Sequence, residues 1–519
     1  MLVNLTVVFN PMRFTNQSIR QLIEKYREIS HLNKISALLS WDLNVNLPQK
    51  ATESRSAQIA SLTGIITDRW LDTGFRTLLD VAIQQQEHFS PEERAAVRNL
   101  EHAGKYYYRI PKDLIVEFSK ATTESFMAWQ EAKQHDDFAS FRPHLEKVVR
   151  MNCLIADHLT YKDNRYDALL DLYEPNLTAA KCSPIFDALT GPLRDLIKTV
   201  QNSAHFRETP RYVGEPYHYP AKQQKQLAYF ILRTMGYDLK AGRMDVSAHP
   251  FTIDMHRADV RITTRYNVHD LRESLMAAIH ESGHALYEQG VSPVYDDTPL
   301  AGGVSLGIHE SQSRFWENQV GRSPQFISFI APVLRAFFPN ELGDTKIDDL
   351  VKMINHVVPS VTRVEADEVT YNLHIALRYE LENGLINEKI AVDDLPALWR
   401  EKMKQYLGVE PKTDREGVLQ DVHWSYGSFG YFPTYTLGNL YAAQFTKKMR
   451  EALPVDELIS RGELGTILSW LRDNIHKHGS LYWPDKLVQH VTGESLNPAY
   501  LIEYLQKKYT ELYEVDVKK

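Results

Sequence analysis

The chain has 519 residues, 43% hydrophobic and 24% charged, with a net charge of -8. That length buries a sizeable core, and the ordinary composition excludes a disordered or fibrous protein. The acidity is spread without blocks of one sign, which excludes the electrostatic footprint of a nucleic-acid or anionic-membrane binder, and two cysteines, Cys153 and Cys182, exclude a disulfide framework and fit a reducing, cytoplasmic location.

At the N-terminus, Leu2 to Phe9 is apolar but short and interrupted by Asn4. No basic residue precedes it and no small-residue cleavage site follows, so it reads as mature protein. No run approaches the roughly 20 apolar residues that cross a bilayer. From Ser18, apolar residues at Ile19, Leu22, Ile23, Tyr26, Ile29, Leu32, Ile35, Leu38 and Leu39 trace the stripe of a long amphipathic helix. Pro111 suits the first position of another, with Leu114, Phe118, Ala121 and Ser125 on one face. Neither linker, low-complexity tract nor repeat marks a boundary. The expectation is one mainly α-helical body over residues 1–519, with roughly the first 150 as long helices.

Strand signals are few. The clearest is Asp259 to Tyr266, where Val260, Ile262 and Thr264 alternate with Arg261, Thr263 and Arg265, predicting two faces of different polarity. Asp270 to Gly290 reads as a helix, with Asp270 as N-cap, Leu271, Leu275 and Ile279 as its apolar face and Gly290 as its stop. A second helical pattern covers Gly307 to Glu317. After Gln420, the aromatic residues His423, Trp424, Tyr426, Phe429, Tyr431 and Tyr435 alternate with Gly427, Gly430 and Gly438, which predicts a glycine-hinged aromatic loop instead of a helix.

The chemistry concentrates in His280-Glu281-Ser282-Gly283-His284. Residues i and i+4 project only about 40° apart on a helix, so both imidazoles reach one tetrahedral ion. Glu281 lies about 100° round from His280, where it reaches a water on the metal and serves as base. Gly283 costs about 1 kcal/mol of helix propensity, which predicts a close approach at that point. A catalytic zinc takes a third protein ligand. Glu310 completes a His2Glu set; His309 is the alternative, facing about 100° away if Glu310 faces the metal.

Six motifs occur in one order: His249-Pro-Phe251, Asp259-Val-Arg-Ile-Thr263, His280 to His284, His309-Glu-Ser-Gln312, Arg363-Val-Glu-Ala-Asp367 and Gly417-Val-Leu-Gln-Asp-Val-His-Trp424. Together with Trp41-Asp42 and Tyr166 to Pro175, they make the chain from about Trp41 onward resemble the zinc carboxypeptidases typified by Taq carboxypeptidase. Two departures, Thr362 where that family has Ile and Leu47 where Met is common, touch no proposed ligand. The resemblance implies a nearly all-helical, gluzincin-like body with a deep groove and a small β-sheet near the metal, walled by the N-terminal helices, and usually a homodimer. It also implies removal of single residues from free peptide C-termini with broad specificity, using Zn2+ or sometimes Co2+.

Such an enzyme must read a free carboxylate, for which a planar guanidinium is the best side chain. Arg363 and Arg261 are the candidates, the alternative for each being a structural salt bridge, with Asp367 or Asp259. His249 is a third substrate contact or a satisfied core histidine. His423 and either Tyr431 or Tyr435 are candidate donors to the oxyanion, with plain aromatic packing as the alternative. A zinc endopeptidase or carboxydipeptidase on the same scaffold, or a non-catalytic peptide-binding scaffold, are the rival functions.

Overall fold

The computed structural model describes residues 14–207 and 212–515; the Leu2 to Phe9 reading lies outside the described residues. Helix α1 (Gln17–Val45) starts where the Asn16 side chain accepts hydrogen bonds from the Ser18 and Ile19 amides, 2.9 and 3.3 Å, replacing partners a first turn lacks. Its predicted stripe divides in two. Ile19, Leu22, Ile23 and Ile29 are buried, whereas Ile35 and Leu38 are 50% and 42% exposed.

Helices α2 (Thr52–Trp70), α3 (Thr73–Gln85) and α4 (Pro91–Arg109) complete an N-terminal cluster with its own hydrophobic centre, which also takes in Tyr295 and Leu300. Helix α5 (Lys112–His135) has Pro111 as its N-cap, one position before the predicted place; Ala121 and Ser125 are buried and Leu114 and Phe118 half-buried. Helix α6 (Phe138–Leu159) packs along α5, and the short α7 (Asp167–Tyr173) follows.

The larger core contains a three-stranded sheet of β1 (Met244–Val246), β2 (Thr252–His256) and β3 (Asp259–Thr264), in the order β1, β3, β2. Met244 pairs in parallel with Ile262, and Ile253 pairs antiparallel with Arg261. The predicted contrast between the faces of β3 is not what forms: Thr263 is buried with Val260 and Ile262. Burial is tolerated because its hydroxyl oxygen accepts from the Phe251 amide at 2.9 Å and from Ser247 Oγ at 2.6 Å.

Helix α8 (Leu271–Gly290) packs against β2 and β3, its first turn capped by Asp270 through the Arg272 amide at 2.9 Å. Helix α9 (Leu306–Arg314) is capped by Ser305 and runs on as a π-helical stretch, Phe315–Gly321. Helices α10 (Tyr371–Ile386) and α11 (Pro433–Ala452) close the far side. The aromatic segment is therefore only partly the loop expected of it. Gly427 and Gly430 take left-handed backbone, but Pro433 opens α11, so Tyr435 and Gly438 are helical.

Gly438 is small because of a neighbour, and a β-carbon there would lie 2.4 Å from Glu310 Cγ. At Gly283 it would lie 2.6 Å from Ser313 Cα, the close approach that glycine predicts. Helix α9 is thus held between α8 and α11, main chain against main chain. Among the described residues no helix is long and apolar enough to cross a membrane.

Candidate metal centre

His280 and His284 from α8 and Glu310 from α9 bring one ligand atom each within 4.8 Å of one another. Glu310 Oε2 lies 3.7 Å from His280 Nε2 and 3.4 Å from His284 Nε2. Bonds of about 2.0–2.1 Å to a tetrahedral ion imply donors roughly 3.4 Å apart, so the set fits such an ion with little adjustment. Three acceptor atoms facing one another are also mutually repulsive unless a cation lies between them.

Each ligand is fixed from behind. His280 Nδ1 is 2.9 Å from Glu317 Oε2, which also accepts from Arg314 at 3.1 Å. Arg314 Nε donates to Glu310 Oε1 at 2.7 Å, leaving Oε2 toward the histidines with one bond from Ser313 Oγ at 3.0 Å. His284 Nδ1 meets His309 Nδ1 at 2.6 Å, and His309 Nε2 meets Glu288 Oε1 at 2.9 Å. Hydrogen bonding therefore assigns the Nε2 lone pairs of both His280 and His284 to the centre. His309 faces His284 instead of the centre and belongs to this supporting chain.

The charges of His284 and Glu310 suit ligation, whereas at His280 burial is outweighed by the Glu310, Glu317 and Glu281 carboxylates and the pKa is raised. Burial pushes the His284 imidazole down to about 3, with His309 and His280 adding to the effect, so it stands neutral. Burial opposes ionisation of Glu310, yet Arg314 and His280 hold it well below the usual carboxylate range. Glu281 is buried beside them, and its pKa is raised by that burial, against the pull of His280 and of a hydrogen bond from Thr252. That bond, from Thr252 Oγ1 to Glu281 Oε2 at 2.6 Å, anchors the carboxylate to the start of β2.

The aromatic residues border the same centre. His423 Nε2 is 3.2 Å from the Tyr435 hydroxyl, and the Tyr431 and Tyr435 rings are 5.3 Å apart. Burial raises the Tyr431 phenol to about 12, with the nearby Glu310 charge contributing. Burial also depresses His423 to about 3, against the pull of Asp421, and keeps it neutral.

Arg363 is buried and paired with Asp421, not with Asp367: Nε and a terminal nitrogen donate to Asp421 Oδ1 at 3.0 and 2.8 Å. Its other terminal nitrogen donates to Tyr371 at 3.1 Å, and its ring neighbours include Tyr435 at 5.1 Å. Asp367 instead accepts from the Val369 and Thr370 amides.

The match with known proteins is broad. The family model described as Carboxypeptidase Taq (M32) metallopeptidase matches residues 21–509. The chain belongs to this metallopeptidase family. Thermostable carboxypeptidase 1 of Thermus thermophilus is 42% identical over 508 residues, covering 95% of this chain and 98% of that one. Carboxypeptidase 1 of Bacillus subtilis is 39% identical over 499 residues, covering 95% and 98%. The solved structure of Pyrococcus furiosus carboxypeptidase superposes with a TM-score of 0.92 at 38% identity, covering 96% of this chain and all of the other.

Within this member of the Taq carboxypeptidase family, two predicted residues stand apart from the centre. Arg261 donates to Asp259 at 2.8 and 2.9 Å and lies over Trp41, the structural alternative foreseen for it. His249 is exposed, and partial burial with the charges of Arg265 and Lys133 lowers its pKa. Among the described residues neither side chain hydrogen-bonds or ion-pairs with His280, His284 or Glu310. Sequence reasoning missed Thr252, Glu317 and Asp421 as partners. The spacing Glu310, Arg314, Glu317 places three charges on one helical face and could have disclosed Glu317. Thr252 meets Glu281 only through the tertiary fold.

Proposed function

We propose that the chain is a zinc-dependent carboxypeptidase that releases single amino acids from free peptide C-termini with broad specificity. The observation that carries this reading is the convergence of His280, His284 and Glu310 on one point with Glu281 buried alongside. A divalent ion there supplies Lewis acidity, acidifying water and polarising the scissile carbonyl. Zn2+ suits two imidazoles and a carboxylate, and Co2+ is a reasonable substitute.

Glu281 takes the proton of the attacking water and delivers it to the leaving amine. Neutral His423 and the phenol of Tyr431 or Tyr435 donate hydrogen bonds to the oxyanion. Arg363 reads the terminal carboxylate: of a guanidinium's five N–H bonds, three are engaged, leaving one on each terminal nitrogen. Arg261 and His249 are more distant contacts, supporting the peptide along the sheet.

The reading extends to one body over residues 1–519, with residues 1–150 as a wall over the groove, acting as a cytoplasmic homodimer. Free, buried Cys153 and Cys182 are compatible with a reducing compartment. The test compares a peptide with a free C-terminus and its C-terminally amidated twin. Single amino acids released from the first and none from the second support the proposal; equal cleavage of both identifies an endopeptidase, and released dipeptides a carboxydipeptidase.

A further inference from the structure

Asp421 serves two guanidinium groups. Besides Arg363 on Oδ1, Arg378 of α10 donates Nε to Oδ2 at 2.7 Å. Arg378 is wholly buried, donates a second bond to the His374 carbonyl at 2.7 Å, and lies over Trp399 at 4.6 Å. The backbone is fixed as well, since the Arg363 amide donates to Gln420 Oε1 at 2.8 Å.

The charges around this cluster do not cancel. Two guanidiniums face one carboxylate. His374 and His423, packed beside them, are held neutral by burial. Tyr371 and Tyr435 are phenols with raised pKa values. Glu382, on the same helix as Arg378, is raised to about 7 by burial and is tied to other donors: Tyr166 at 2.5 Å, Trp424 Nε1 at 2.7 Å and the Gly430 amide at 2.9 Å. A buried excess of positive charge is costly unless an anion arrives to neutralise it.

We infer that Arg378 is a positioning residue for C-terminal carboxylate recognition: by sharing Asp421, it leaves a net positive charge on Arg363, whose two remaining N–H bonds take the anion. Without Arg378, Asp421 would neutralise Arg363 as an ordinary closed pair. Arg378 touches no substrate itself. The inference rests on Arg363 as the carboxylate reader, and the experiment separates the two claims.

Arg378→Met, Arg378→Lys and Arg363→Met are compared with the parent holoenzyme on one free-ended peptide, with rates normalised to bound zinc. Arg378→Met is expected to raise KM at least tenfold with kcat within about threefold, and Arg378→Lys, which restores the charge, to bring KM back within about threefold. A residue that merely packs would lower the active fraction or kcat and leave KM alone, and the lysine would not selectively rescue it. Should Arg378→Met fail to fold, Arg378→Gln, uncharged but able to donate to Asp421, carries the same expectation. A KM within twofold of the parent in the folded, uncharged variant overturns the inference. If Arg363→Met also leaves KM unchanged, the reading of Arg363 falls with it; if Arg363→Met raises KM alone, only the role of Arg378 is lost.

Discussion

At the scale of single residues, the centre is a set of atoms whose protonation is fixed by their neighbours. Glu281→Gln keeps the shape and the Thr252 contact but cannot take a proton. It is expected to retain zinc while kcat drops about a hundredfold to ten-thousandfold, measured as turnover against metal content. Near-normal turnover would remove Glu281 from its role. Gly438→Ala reaches the centre from the other side. Its methyl group would collide with Glu310 Cγ, and since the backbone of α9 cannot retreat past Gly283, the carboxylate must shift. Zinc affinity is expected to fall at least tenfold in competition with a chromophoric chelator, and an unchanged affinity would show that Glu310 has room to move. The residues legible in the sequence here are those governed by helical spacing, His280, Glu281 and His284. Glu310 required a judgement about ligand sets, and Arg378 could not be seen at all, because its partner Asp421 lies 43 positions away and only the fold joins them.

At the scale of elements, helix ends are where the sequence was most and least informative. Asp270 and Ser305 cap α8 and α9, and Asp270 was readable from its position before an apolar stripe. The start of α11 was not, because the glycines between His423 and Gly438 suggested a continuous loop, whereas Gly438 is dictated by the contact with Glu310 and not by backbone freedom. The first turn of α9 has a further support from outside. Glu174, just past α7, accepts from the Gly307 amide at 2.9 Å and from the Tyr441 hydroxyl at 3.0 Å. Burial raises its pKa from 4.5 to about 7 despite these bonds. A proton held to higher pH in the folded state than in the unfolded one means that its stabilisation is complete below about 4.5 and is lost as the pH climbs through about 7. Glu174→Gln removes that titration. In thermal unfolding at pH 5.5 and pH 8, the variant is expected to gain on the parent at the higher pH; a constant difference between the two would show that Glu174 does not titrate in this window.

At the scale of the whole molecule, the prevalence of helix was legible in composition and periodicity, and the N-terminal helices were legible as elements. Their packing was not, because the pattern of an amphipathic stripe does not say where along its length the core ends, and Ile35 and Leu38 lie beyond it. What ties this part of the molecule to the rest is specific: Trp41 meets Phe251, just before β2, at 5.6 Å between ring centres, and Lys34 bonds Asp297, in the segment after α8, at 2.5 Å. The metal centre itself lies where α8 and α9 meet, so an ion should act as a cross-link for the fold. Removing it with a chelator is expected to abolish hydrolysis and lower Tm, and added zinc to restore both. Binding only the folded state at 1,000 times Kd is worth about 4.1 kcal/mol. Loss of activity without any change in Tm would mean that the two helices hold their positions unaided.

The placement of α9 between two glycines also bears on how ions are told apart. The turn of α9 just past Glu310 is stopped by Gly283, at Gln312 and Ser313, and the Glu310 side chain by Gly438 on the other flank, which restrains how far the carboxylate follows an ion. Any mismatch in ionic radius then falls largely on the two imidazoles, which are themselves tethered through Glu317 and His309. Tolerance of ion size is thereby expected to depend on main-chain spacing, so that relaxing it would take a change in how the helices stack as well as a change of ligand.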